Sequence, residues 1–182
     1  MRSALLLVAA LALPGVAQAQ SNTDTKTFAV VGTVPQMCAG GTLVGGNSTL
    51  DLGVLIATTT GFLRTDLAAP NKVLTGAYCT GRSTITVNAT AMAAQTFTAT
   101  PPAGFSRIVN YTATASGWTT TPASFTSGAA ANAAATQTRA TAFTGDITVG
   151  ISGFSTGGGS GLRLVADTEY RGIVTVTLAA AN

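Results

Sequence analysis

Residues 173–178 read Ile-Val-Thr-Val-Thr-Leu, and this alternation of apolar and polar side chains decides the fold class. Successive side chains of a β-strand point to opposite faces, so the pattern predicts a strand with one buried and one exposed face. Valine and threonine also favour strands because their branched Cβ atoms fit a pleated sheet. The same alternation recurs at Ile85–Val87, Val109–Ala113 and Ile147–Ile151.

Further short segments carry the pattern less regularly: Phe28–Val34, Leu50–Val54, Val73–Cys79, Thr96–Thr98 and Leu162–Leu164. Breaks rich in glycine or proline separate these segments, and apolar residues at helical spacing are almost absent. About eight or nine short strands of this kind are typical of a β-sandwich. The sequence therefore predicts an all-β, antiparallel, immunoglobulin-like two-sheet sandwich, either complete or lacking one strand.

The N-terminal residues predict export. Arg2 precedes an apolar run over Ala4–Leu13, and Ala17–Ala19 has the small residues of a cleavage site. The apolar run is about ten residues long, whereas a membrane span needs roughly 20. We therefore expect residues 1–19 to be removed as a signal peptide and residues 20–182 to form a single domain. The mature protein is then secreted through the periplasm to the cell surface or medium, with no membrane span.

The chain has two cysteines, Cys38 and Cys79, and both lie in the part expected to be exported. In an oxidising compartment two cysteines of one domain most often pair. Their disulfide would close a loop of about 41 residues and stabilise the fold by roughly 4 kcal/mol in the chain-entropy model. The alternatives are two buried free thiols or, less favoured, a metal site built from the two thiols.

The composition argues against catalysis, metal binding and nucleic-acid binding. The chain has no histidine, so neither a Ser-His-Asp or Cys-His apparatus nor a histidine-ligated metal site can be built. Of the six acidic residues, Asp167 and Glu169 lie two apart and fit a surface turn better than a catalytic or calcium-binding pair. The nine scattered cations form no dense basic stripe. We expect no enzyme activity, no cofactor, no metal and no nucleic-acid partner.

Two further features have a functional and a structural interpretation. Gly153–Gly157 matches G-x-S-x-G, which presents a nucleophilic serine in hydrolases. Without a histidine, and with the glycine-rich stretch 158–161 after it instead of a helix, the motif predicts a flexible hairpin loop. Trp118 and Tyr111 are predicted to anchor the core and not to form a sugar-binding platform.

The order of segments between residues 28 and 79 resembles a known family. A strand-like segment with a glycine, Phe28–Val34, is followed by Cys38, a glycine-rich gap, the segment Leu50–Val54 and finally Cys79. Together with the last segment, Tyr170–Leu178, this order resembles the chaperone–usher pilins and the related spore-coat-U-like secreted proteins. The resemblance covers about a third to a half of the chain, and order and spacing carry it more than any single motif.

The resemblance implies a non-enzymatic structural or adhesive subunit of a surface fibre or coat. In that family an incomplete sandwich accepts a strand from the next subunit. The implied partners are other copies of the chain, a periplasmic chaperone and an outer-membrane usher. The implied donor strand lies in the N-terminal extension, residues 20–37, with Phe28, Val30, Gly32 and Val34 as the residues that enter the groove.

Two alternatives stay open at this point. In the first, the same four residues form the first strand of their own domain. In the second, the protein is a self-completed monomeric β-sandwich that serves as a binding module, for carbohydrate or another surface.

Overall fold

A computed structural model describes residues 23–181 of the 182-residue chain. The predicted signal peptide, residues 1–19, lies outside the described residues. The chain divides into two units, one ending at Thr33 and one beginning at Val34. Residues 23–33 of the first unit carry no strand or helix, and the sandwich belongs to the second unit.

The second unit contains 13 β-strands and, among the described residues, no helix. The strands are β1 (Cys38–Ala39), β2 (Thr42–Val44), β3 (Lys72–Cys79), β4 (Ser83–Ala89), β5 (Met92–Ala94), β6 (Phe105–Ser106), β7 (Ile108–Ser116), β8 (Ala123–Thr126), β9 (Thr136–Arg139), β10 (Phe143–Thr156), β11 (Arg163–Leu164), β12 (Tyr170–Arg171) and β13 (Val174–Ala180).

The strands form three sheets. The largest has the order β1–β3–β10–β7–β5–β12, with β2 also paired to β3 and β8 also paired to β7. The second has the order β13–β4–β9, and the third is the short parallel pair β6–β11. All pairs other than β6–β11 are antiparallel. The predicted all-β, antiparallel, sandwich-like fold is confirmed.

The core lies between the inward faces of β4 and β7. Every second residue of β7 from Val109 to Ala115 is buried, and the same holds for β4, where Ile85 and Val87 are fully buried. Trp118 is also fully buried, and its ring centroid lies 4.3 Å from that of Phe143. Tyr111 and Trp118 are therefore core anchors, as predicted.

Cys38 and Cys79 are opposite each other in the β1–β3 ladder and form the predicted disulfide. Cys79 belongs to the same buried cluster as Ile85 and Trp118. The bond joins the first strand of the unit to the interior of the largest sheet, and it is compatible with an oxidising compartment.

Three local predictions are wrong. Leu50–Val54 forms no strand: the Asp51 carboxylate accepts a hydrogen bond from the Gly53 N–H (2.9 Å), which makes a turn there. Thr96–Thr98 forms no strand because two of its N–H groups donate to the Asp167 carboxylate instead of to a neighbouring strand. The segment from Gly153 to Ser155 is no hairpin loop: it lies in β10, where the pairing with β7 is shifted by a bulge.

Candidate functional site

β13 is an edge strand whose inward face is incompletely covered. Among the described strands it pairs with β4 alone. Val176 lies directly opposite Val87 in that ladder, so the two side chains share one face of the sheet. Val87 is fully buried, but Val176 is only half-buried. Val87 belongs to β4, which has a strand on each side, whereas Val176 belongs to β13, which has a strand on one side only. The space on the other side of β13 is open.

A groove of about 630 Å³ occupies this space. Its floor is apolar, with Leu74, Ile151 and Val174 packed against the buried core while remaining partly exposed. The groove is lined by Leu43, Ser48, Thr49, Leu50, Lys72, Leu74, Met92, Tyr111, Val149, Ile151, Glu169, Tyr170, Arg171, Gly172, Ile173, Val174 and Val176.

The groove combines two features that suit an extended peptide. The outer edge of β13 offers backbone N–H and C=O groups with no strand partner in the described chain. The floor offers apolar contacts spaced for side chains of every second residue. The charged lining residues are Lys72, Glu169 and Arg171, and the last two form an exposed ion pair with an N···O distance of 3.6 Å. An extended segment with alternating apolar side chains is therefore the ligand class that fits.

One end of the groove is the segment Glu169–Ile173, which we call the groove mouth. Thr90 pins it, because the Ile173 N–H donates to the Thr90 Oγ1 and the Ile173 carbonyl accepts from the Thr90 N–H, both at 2.9 Å. A side chain at Gly172 would place its Cβ 2.7 Å from the Thr90 carbonyl oxygen, so the close approach requires glycine. Burial raises the pKa of Tyr111, whose hydroxyl therefore stays neutral and donates to the Ile173 carbonyl (3.4 Å).

The opposite end of β13 lies beside residues 35–38, which we call the root. Thr80 holds the root: its Oγ1 donates to the Pro35 carbonyl and accepts from the Met37 N–H, both at 3.0 Å. The Thr80 N–H donates to the Met37 carbonyl at 2.9 Å. Thr80 precedes Ser83, which pairs with Ala180 at the end of β13. The root and the groove mouth are thus separated by the length of β13, roughly 20 Å for seven strand residues.

The predicted donor residues lie in the segment 23–34, which we call the arm. Phe28, Val30 and Val34 are 84%, 98% and 82% exposed, and a Cβ on Gly32 would have no atom within 4 Å. The arm forms no strand, so the alternative in which these residues form the first strand of their own sheet is not what the structure has. The chain thus carries an exposed apolar segment as well as an open apolar groove.

Other candidate sites are weaker. A cleft of about 680 Å³ is lined by residues 54–66, but its charged groups, Arg64 and Asp66, bind each other at 2.8 Å. That hydrogen bond raises the pKa of Arg64 and lowers the pKa of Asp66, so both groups stay charged and paired. Within residues 23–181 no three Cys, Asp or Glu side chains gather into a possible metal site. The same residues include no helix that is long and apolar enough to cross a membrane.

Comparison of the chain with protein-family models, with curated proteins and with solved structures gave no match. The choice of function therefore depends on the groove and the arm.

The sequence predicted the donor residues but none of the acceptor residues that line the groove, such as Met92 and Ile151. The partial exposure of these two residues depends on the absence of a strand packed over them in the described chain. The alternation in Ile147–Ile151 does not indicate whether such a strand is present.

Proposed function

We propose that this protein is an exported, non-enzymatic subunit of a surface fibre or coat that assembles by strand donation. The arm of one copy adds to the free edge of β13 in the next copy and fills its groove. The observation that carries the proposal is the unequal burial of Val87 and Val176, which are direct cross-strand partners. One added strand beside β13 would remove that inequality.

The arm matches the groove in length and pattern. Phe28–Val34 has seven residues, as does β13. Phe28, Val30, Gly32 and Val34 alternate with Ala, Val and Thr, so a strand made from them presents four apolar or small positions to the groove floor. Burying these side chains together with Val176 contributes roughly 25 cal/mol per Å² of apolar surface, while backbone hydrogen bonds to β13 fix the register.

The arm suits the groove of another copy better than its own. Antiparallel pairing to β13 is the more stable geometry, and it places Val34 at the groove mouth. In its own chain Val34 is bonded to Pro35 of the root, at the opposite end of β13, roughly 20 Å away. A second copy can present its groove mouth directly to the root. Repetition of this contact is heterologous and gives an open chain of subunits.

Export and assembly partners complete the proposal. The disulfide suits passage through an oxidising compartment. Before assembly each subunit exposes both the groove and the arm, and exposed apolar surface with an open strand edge favours aggregation. A periplasmic chaperone and an usher, as the resemblance implies, would cover these surfaces during export.

Size measurements on arm variants test the proposal. We expect the mature chain to form oligomers by light scattering and a version starting at Pro35 to be monomeric. Attaching residues 23–34 after Asn182 through a short flexible linker should also give a monomer, because the added strand runs back antiparallel to β13 and fills the same groove. A stable monomer of the mature wild-type chain in dilute native buffer would contradict strand donation.

The alternation of the arm supplies a matched pair of variants. Gly32→Leu should reduce assembly strongly, because position 32 faces the groove floor. Thr33→Leu adds a similar side chain to the opposite, outward face and should have little effect. Titration of fluorescent peptides of residues 23–34, carrying either change, against the chain that starts at Pro35 measures the difference without polymer formation. Equal affinities for the two peptides would exclude the proposed register.

A further inference from the structure

The joint between the arm and the sandwich contains no spare residues. Val34 is the last position of the alternating arm, and the next residue, Pro35, already belongs to the root, where its carbonyl accepts the Thr80 hydroxyl at 3.0 Å. Proline fixes its own φ and restricts the preceding residue to extended backbone. An inserted arm therefore ends where the donor's folded body begins.

The root is held rigidly. Thr80 binds it through three hydrogen bonds, and the Cys38–Cys79 disulfide follows directly. The Gln36 side chain packs over Gly81 so closely that a Cβ there would lie 3.1 Å from the Gln36 Nε2. Residues 35–38 thus cannot act as a hinge while these contacts persist.

We infer, on the basis of the proposed strand donation, that consecutive subunits also touch end to end, the donor's root against the acceptor's groove mouth. An antiparallel arm places Val34 at the acceptor's mouth, and the absence of a linker then brings the donor's Met37 and Arg82 to the same place. This contact makes the joint stiff and defines a second interface between copies of the chain.

Each of the two surfaces carries an exposed apolar side chain with a charged side chain close to it in the sequence. Met37, in the root, is 46% exposed, and Ile173, at the mouth, is 61% exposed. Arg82 is exposed and lies two residues after Thr80, which holds the root. At the mouth, Glu169 is exposed and forms an ion pair with Arg171 at 3.6 Å. An apolar contact between Met37 and Ile173 can therefore be flanked by an Arg82–Glu169 ion pair.

Insertion of a linker tests the inference. Gly-Ser-Gly-Ser placed between Val34 and Pro35 separates the two surfaces but leaves the arm sequence intact. Four residues span at most about 14 Å, which is too short for the arm to fill its own groove antiparallel. The control carries the same insertion between Thr25 and Lys26, before the alternating segment.

Electron microscopy gives the readout. We expect both variants to assemble, with wild-type stiffness in the control and a several-fold shorter persistence length for the insertion after Val34. Equal stiffness of all three fibres would overturn the end-to-end contact while leaving strand donation intact. Absence of any arm-dependent assembly in the wild type would overturn strand donation and this inference together.

Charge reversal tests the same contact without a change in chain length. Arg82→Glu and Glu169→Arg should each slow assembly several-fold at low ionic strength, and the double variant should recover most of the rate. Affinity of the arm peptide for the chain starting at Pro35 should be unchanged by Arg82→Glu, because position 82 acts on the donor side. A double variant no faster than either single variant would contradict the pairing.

Discussion

The region around Trp118 and the groove beside β13 both direct apolar side chains inward, but the first is covered and the second is open. Trp118 is fully buried, and its ring packs at a tilt against that of Phe143. Its carbonyl accepts a hydrogen bond from Arg139 (2.8 Å), whose guanidinium lies 4.7 Å from the Phe143 ring centroid. In the groove, Leu74 of β3 and Val176 of β13 face inward but stay half-exposed. Alternation thus determines which side chains face the core, whereas only the neighbouring strands determine whether they are covered.

The largest effect on stability is expected in the buried region around Trp118, to which Cys79 belongs. Replacing both Cys38 and Cys79 by alanine should lower the free energy of unfolding by about 4 kcal/mol, because the unfolded chain regains the freedom of the 41-residue loop. Guanidinium denaturation followed by the fluorescence of Trp118, the single tryptophan, measures the loss. The variant should still bind the arm peptide at low denaturant, where it is folded. An unchanged unfolding midpoint would contradict a stabilising disulfide.

A matched pair of substitutions compares the two regions directly. Val87→Ala should cost about 2 to 3 kcal/mol in the chain starting at Pro35, because it opens a cavity in a packed site. Val176→Ala removes the same atoms from a half-exposed site and should cost about 1 kcal/mol or less. Saturating arm peptide should raise the cost of Val176→Ala towards that of Val87→Ala. Equal costs of the two substitutions without added peptide would show that Val176 is already covered and would contradict an open groove.

The smallest effect concerns the loop that leads to the groove mouth. The Asp167 carboxylate accepts hydrogen bonds from the N–H groups of Glu169, Phe97 and Thr96 at 2.7–2.9 Å. These hydrogen bonds, with that from the Glu169 N–H contributing most, lower the pKa of Asp167 to about 2. Because the folded pKa lies below the usual value of about 3.9, the stabilisation is complete above that value and is lost as the pH falls towards 2.

Asp167→Asn should therefore lower the melting temperature at pH 7 and have almost no effect near pH 2. The control is Asp51→Asn, since the Asp51 carboxylate accepts one backbone hydrogen bond and lies in another loop. Thermal unfolding at the two pH values gives the comparison. The same shift at both pH values would mean that the charge of Asp167 contributes nothing to stability.

The sequence predicted the strands that carry alternating apolar side chains, including the less regular β3, and missed strands without an apolar signal. β4, β7, β10 and β13 follow their apolar alternation closely, but β9 reads Thr-Gln-Thr-Arg and carries no apolar signal. It is a strand because its backbone pairs with β4, which is a tertiary effect. Leu50–Val54 shows the converse: it alternates, but no strand lies beside it in the described chain. The acceptor groove was not predictable for the same reason, since half-burial of Val176 depends on an empty neighbouring position.

The place of the disulfide also has a mechanical consequence. A pull on the arm enters the folded body at Pro35 and reaches Cys38 three residues later. From there the covalent bond passes the tension to Cys79, at the end of β3, which is held along its length by β10. The disulfide bypasses the segment between β2 and β3, which includes Ser48–Leu50 of the groove wall. In a fibre of the proposed kind, a pull on the arm would therefore not straighten this segment.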